Sequence, residues 1–178
     1  MARIMVPFDG SAASERALAF ACRTAAAPAD VVEAINVVRV PPQLPISAEI
    51  PGVRTHAEAV LARAEALADR YGVRLRTMLV LARAVGPGIV AAARDGDLLV
   101  IGHRPRRLLG RLLGHRTLRY VLAHAPCQAL VVSIPTTPRA WAKGGLFRLA
   151  HAGVSDDLSG PAYVVPLSPP KESLRHGG

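Results

Sequence analysis

Short apolar runs alternate with helical patterns along this chain, and turn residues separate them at regular intervals. Arg3–Phe8 (RIMVPF) reads as a buried strand. Asp9-Gly10-Ser11 turns the chain, and a helix opens near Ser14 and runs to Thr24 with Leu18, Ala21 and Cys22 on one face. Val31–Val38 (VVEAINVV) is a second strand. Pro41, Pro42, Pro45 and Pro51 exclude helix interior or central strand from 41 to 52, which is a surface loop. A helix over His56–Tyr71 stops at Gly72, a residue tolerant of left-handed backbone. Val73–Leu81 alternates at first, with Arg74 and Arg76 on one side, and then turns apolar. Gly86-Pro87-Gly88 starts a helix over Ile89–Arg94, and Asp97–Ile101 is the most apolar strand, ending at Gly102. A loop from His103 to about Gly114 leads into a helix over Arg116–His124, which Ala125-Pro126 ends. Gln128–Ile134 is the last strand of the series.

Continuous apolar strands separated by helices predict an α/β fold with a parallel sheet covered on both faces. Right-handed crossovers then favour a doubly wound, five-stranded sheet of order 3-2-1-4-5, a Rossmann-like arrangement. Residues 1–135 form this domain. Residues 136–178, rich in Pro, Gly and Ser, read as a largely flexible extension, with a weak helical pattern at Arg139–Ala152. Tyr163-Val164-Val165 is its other apolar cluster, an extra strand or a partner contact.

Composition narrows the chemistry. Aromatic residues make up only 4% of the chain, so Ala, Val, Leu and Ile must build the core. The opening residues do not resemble a signal peptide, and no apolar stretch is long enough to span a bilayer, so a cytoplasmic protein without membrane insertion is expected. Cys22 and Cys127 have no CxxC spacing and read as reduced thiols. The net charge of +9 is confined to one block. Leu98–Ser155 holds no acidic residue but carries Arg104, Arg106, Arg107, Arg111, Arg116, Arg119, Arg139, Lys143 and Arg148. The other 13 basic residues balance the 13 acidic ones, so this block alone draws anions and is the expected face for an anionic partner.

No GxSxG, HExxH or Walker loop is present, and no nucleophile is placed with a base, so the chain is read as no enzyme. The histidines lack metal-ligand spacing; His124 reads instead as a cap on the fourth helix. The loop HRPRRLLGRLLGHR has two readings. Its arginines clamp a phosphate bidentately, or they form a solvated basic surface pinned by its leucines. Only Tyr120 lies nearby in sequence, so base-stacking recognition of nucleic acid is not expected.

Three segments in register, IMVPFDGSAASERAL, GPGIVAAARDGDLLVIG and VLAHAPCQALVV, resemble the universal stress protein family across residues 2–134. The resemblance implies the same five-stranded fold and a homodimer joined through Gln128–Ile134. Many members bind ATP through a glycine, two residues, a glycine, nine residues, then a glycine and a hydroxyl residue. Their glycine turn closes backbone N–H groups on the phosphates. Here Gly102 matches the first position, but Pro105, His115 and Arg116 occupy the others, with Gly114 and Thr117 one residue away. By resemblance Asp9 contacts the nucleoside and Val37 the adenine; Asp9 also fits a plain turn residue, Val37 plain core, and Gly102 a simple strand end. The degenerate site therefore comprises Asp9, Val37, Gly102, Arg104, Arg107, Gly114, Arg116 and Thr117. The expectation is a stress-associated regulatory or binding protein that needs no cofactor. The alternatives are an ATP-binding switch with an arginine-rich phosphate site, and a hydrolase acting on nucleotides.

Overall fold

Each core strand is a short apolar run: β1 (Arg3–Pro7), β2 (Val31–Arg39), β3 (Leu75–Ala82), β4 (Leu98–His103) and β5 (Gln128–Ser133). The helices between them are α1 (Ala12–Thr24), α2 (Val53–Asp69), α3 (Val85–Ala92) and α4 (Arg111–His124). The computed structural model describes residues 3–25, 30–104, 111–133 and 163–166, with 111–115 and 163–166 as backbone alone. The five strands run parallel in the order β3-β2-β1-β4-β5, as the pattern predicts. A sixth strand, β6 (Tyr163–Pro166), adds antiparallel to the outer edge of β3, so the extra-strand reading of that cluster is the one realised. The weak helical pattern at 139–152 lies outside the described residues.

Strand alternation sorts the core into two layers. Ile4, Val6 and Phe8 face α1 and α2, where they meet Ala17, Leu18 and Leu61. Met5, Ile35 and Leu99 face the other way, toward Ile89 of α3 and Val121 of α4. Alanines on the inner helix faces bring the helices close to the sheet without large side chains.

Helix boundaries differ from expectation: α1 begins at Ala12, ahead of Ser14, and α3 runs over Val85–Ala92 and not Ile89–Arg94, with Gly86-Pro87-Gly88 inside it. α2 begins at Val53 because the His56 amide donates to Gly52 O (2.9 Å) and closes a first turn there. It ends at Asp69, and Gly72 at φ +66° turns the chain out, as predicted. α4 begins at Arg111, not Arg116, so Gly114 is in its first turn and not in a loop. Arg111, Leu112 and Leu113 are strong helix formers, and one glycine, at a cost of about 1 kcal/mol, does not stop the helix they start.

The amino-terminal ends of the central strands are tied by a buried ion-pair cluster that hydrophobic patterning did not reveal. Arg3 Nη1 donates to Glu33 Oε2 (2.6 Å), Nε to Asp97 Oδ1 (2.9 Å) and Nη2 to both Asp97 Oδ2 and Ala92 O. Asp97 Oδ2 also accepts from the Arg94 amide (2.7 Å), closing the turn from α3 to β4. Glu33 and Asp97 are buried, and each is paired with the same guanidinium. At the other end of the sheet, the buried Asn36 Nδ2 donates to Phe8 O (2.7 Å). Among the described residues no buried side-chain polar atom lacks a hydrogen-bond partner.

Burial alone would raise the Asp97 carboxyl, but the hydrogen bonds from Arg3 and the Arg94 amide pull it below its ordinary value. Arg3 is raised in return, chiefly by its hydrogen bond to Asp97. A depressed carboxyl contributes stability that is complete above its unfolded-state pKa, about 3.9, and drains away as pH falls through the folded value. Urea denaturation is therefore expected to show wild-type stability level from neutral pH to about 5, declining below about 4. Asp97→Ala strands Arg3 beside a single acid and is expected to cost about 3–5 kcal/mol at pH 7. Its own acid decline should be shallower than that of the wild type.

Candidate functional site

In a sheet of this order the connections run one way from β1 to β3 and then return past β1 to β4. A crevice therefore opens outside the carboxyl ends of β1 and β4, the general ligand position in open α/β sheets. The turn after β1, Asp9-Gly10-Ser11, forms one lip, and Gly102-His103-Arg104 at the end of β4 forms the other.

Asp9 is exposed and is first of all a turn former. Its Oδ1 accepts from the Ser11 amide (3.0 Å). Ser11 caps α1, its Oγ accepting from the Ser14 amide (3.3 Å), while Ser14 Oγ donates to Ser11 O (2.9 Å). Burial opposes ionisation of Asp9, but hydrogen bonds from Ser11 and Ser14 outweigh it and lower the carboxyl. The site thus presents a fixed negative charge directly before the amino terminus of α1.

Gly10 takes φ +76°, which the tight turn demands and which L side chains avoid. Arg63 reaches across from α2, with Nη2 on Glu15 Oε1 (2.7 Å) and 3.4 Å from Gly10 O. A Cβ on Gly10 would come within 3.3 Å of Arg63 Nη1. Arg63 is a site-lining residue that sequence reasoning missed. Its partners are 48 and 53 positions away, and no local pattern marks them.

Gly102 is shaped by packing. A Cβ there would lie 2.1 Å from Ala13 O and 2.8 Å from Ser14 N, so the missing side chain is what lets the first turn of α1 rest on β4. Asp9 and Gly102 are therefore brought together, both against the amino terminus of α1. Val37 stands elsewhere. It is half-buried beneath α3, its Cγ1 2.6 Å from where a Cβ on Gly88 would be. Gly86 in turn receives the Tyr120 ring, which would lie 3.0 Å from an added Cβ. Two glycines seat α3 against β2 and α4.

Arg104 is exposed at the end of β4, Arg116 is exposed on α4, and Thr117 is half-buried there. Gly114 belongs to the first turn of α4, and Arg107 lies outside the described residues, as does Pro105. His124 closes α4: its Nδ1 donates to Tyr120 O (2.8 Å), since a carbonyl can only accept, and its ring stacks on Tyr120 at 4.2 Å. Cys22 and Cys127 are not bonded to each other, and burial pushes both thiols up, away from reactive thiolate. Among the described residues no three His, Cys, Asp or Glu side chains group to hold a metal ion. Among them, too, no helix is long and apolar enough to cross a membrane.

Comparison with known proteins gives one family. The model of the universal stress protein family matches residues 1–133. A solved universal stress protein from Burkholderia pseudomallei is 26% identical, with a TM-score of 0.53, over 76% of this chain and 96% of its own. A universal stress protein in complex with cAMP is 22% identical, TM-score 0.56, over 74% and 96%. One from Archaeoglobus fulgidus in complex with dAMP is 17% identical, TM-score 0.51, over 76% and 98%. No curated protein matches the chain.

The packing of Gly102 is testable. Gly102→Ala is expected to cost about 3 kcal/mol by overpacking and to shift the amide resonances of Ser11–Ser14. Gly72→Ala, at φ +66° with nothing within 4 Å of the added carbon, should cost about 1–2 kcal/mol from backbone conformation alone. It should leave those resonances in place.

Proposed function

This chain belongs to the universal stress protein family, and from that premise we propose that it is a stress-associated binding protein that works without ATP. The observation that carries this reading is the start of α4 at Arg111. Positions 114–117, where the phosphate-binding turn of ATP-binding members would end, are helical here, and their N–H groups beyond the first turn are committed to the helix. At the position of the second glycine stands Pro105, which has no N–H to offer. Asp9 adds negative charge beside the crevice, which opposes a polyphosphate unless cations offset it.

In this reading the protein acts in the cytoplasm as a homodimer, with residues 1–135 as the binding domain and 136–178 as an extension. Its pairing surface would be the edge strand β5, whose Ala129–Val132 stay half-buried in the isolated chain and whose outer side has no neighbouring strand among the described residues. The basic block supplies the face for an anionic partner, and Arg104, Arg116 and Arg119 are its exposed members within the described residues.

A second reading follows from those same arginines. The relatives solved with cAMP and dAMP hold nucleotides with a single phosphate. A site built on Arg104, Arg107 and Arg116 would bind one phosphate through guanidinium groups instead of backbone amides. Asp9, Gly102, Gly114 and Thr117 would then flank the nucleotide, with Val37 beneath it, and the protein would be a switch.

Heat-denaturing the freshly purified protein and analysing the supernatant by mass spectrometry separates the two. The first reading expects no nucleotide, and calorimetry of the stripped protein should give no saturable heat with millimolar ATP or AMP. Stoichiometric nucleotide, or micromolar rebinding abolished by Arg116→Ala, would establish the switch instead. Release of phosphate or AMP above background would point to a hydrolase.

A further inference from the structure

β3 forms the outer edge of the parallel core, and its two halves differ in character. Arg74, just before it, and Arg76 within it are exposed, and the Thr77 hydroxyl donates to Glu65 (3.2 Å). Met78–Leu81 is apolar, with Leu79 and Val80 buried. β6 pairs with this apolar half alone: Tyr163 stands opposite Leu81, Val164 opposite Val80, Val165 opposite Leu79 and Pro166 opposite Met78. Pro166 has no N–H with which to carry the ladder on toward Arg76. One half of the edge is thus guarded by charge and the other by a strand, two of the ways in which proteins blunt an exposed edge.

The placement of β6 is not a covalent necessity. β5 ends at Ser133 on one edge of the sheet, and β6 begins at Tyr163 on the other. Five interstrand steps separate them, a span of about 24 Å. At about 3.3 Å per residue, the contour length of residues 134–162 exceeds that span several-fold. Pairing, rather than the length of the connection, therefore sets β6 on β3. Strand-forming valines at 164 and 165 and the ladder-ending proline at 166 suit that pairing.

We propose that β6 is a built-in guard that keeps a second copy of this chain from pairing on the β3 edge. With β6 in place the sheet of described residues has one edge with no outer strand, β5, and assembly through it closes at two chains. With β6 displaced, Met78–Leu81 presents unpaired backbone on an apolar strand, and a second copy with the same bared edge docks there. A sheet open at both edges grows without closure. The inference goes beyond the β5 pairing, since it concerns the opposite edge. The mass of the unaltered chain tests the pair, and the change caused by altering β6 tests the guard.

The full-length chain carries the test. Alternate N–H groups of an edge strand point into the sheet, so Val164→Pro and Val165→Pro act differently: one removes a ladder hydrogen bond and the other replaces an outward N–H. In at least one variant the amides of Met78–Leu81 that face β6 should exchange with deuterium ~10-fold faster or more. Light scattering should then show that variant growing in mass with concentration beyond the unaltered chain, with an unchanged far-ultraviolet circular dichroism spectrum. Excess synthetic peptide spanning residues 161–168 should return it to the unaltered mass. Unchanged exchange in both variants, faster exchange without growth, or growth that the peptide does not reverse would each overturn the proposal.

Discussion

Arg3 occupies the first position of the strand at the centre of the sheet, and its guanidinium is shared between an acid of β2 and an acid at the threshold of β4. That sharing locks the register of three strands at once. The side-chain period of a strand is two, so a slip of one residue would turn Ile4 and Val6 out of one core layer and Met5 out of the other. Apolar contacts favour burial but are poor at choosing between nearly equivalent registers, whereas a buried arginine with two carboxylates tolerates one arrangement. The cluster also accounts for the turn from α3 into β4, because Asp97 holds the Arg94 amide as well as Arg3. Whether such a buried cluster adds net stability over an apolar replacement is a separate matter from the cost of breaking it, which is high.

With the registers set, the opposite end of the sheet is governed by close approach. α1 rests on β4 because Gly102 has no side chain, and α3 rests on β2 because Gly88 has none. These contacts position the two lips of the crevice and account for much of the residue pattern there. Asp9 organises the cap of α1 while supplying a fixed charge, and Val37 fills the space beneath α3. Residue types that would serve a nucleotide are thus also the types that this packing requires. Their presence alone is therefore weak support for a ligand. Arg63, bridging Glu15 and the Gly10 carbonyl, makes the crevice lip more polar than the local sequence suggested.

The two edges of the sheet are treated differently. Among the described residues β5 is half-buried with no strand on its outer side, whereas β3 carries exposed arginine along one half and a second neighbouring strand, β6, along the other. Since an edge strand presents its hydrogen-bonding groups to any extended chain, this asymmetry bears on what the protein can assemble into as directly as the crevice bears on what it can bind.

The parallel sheet and its order were legible in the sequence. Uninterrupted apolar strands, helical intervals and the proline loop at 41–52 admit few other arrangements, and the three motif segments lie within that frame. The stop at Gly72 and the closing role of His124 were legible too, because helix ends depend on neighbours within a turn. The Arg3 cluster, the Arg63 bridge, the start of α4 and the pairing of β6 were not. Arg3 and Asp97 are 94 positions apart, and Arg63 and Gly10 are 53 apart, so nothing in either neighbourhood announces the other. Gly102 reads as a strand end or a ligand contact until Ala13 is seen against it. Local pattern determined which segments are strands and helices, because those depend on short-range periodicity and backbone preference. Only the tertiary structure decided which charges meet, which glycines are needed for contact and which edge is covered, because those depend on distances through space that sequence separation does not encode.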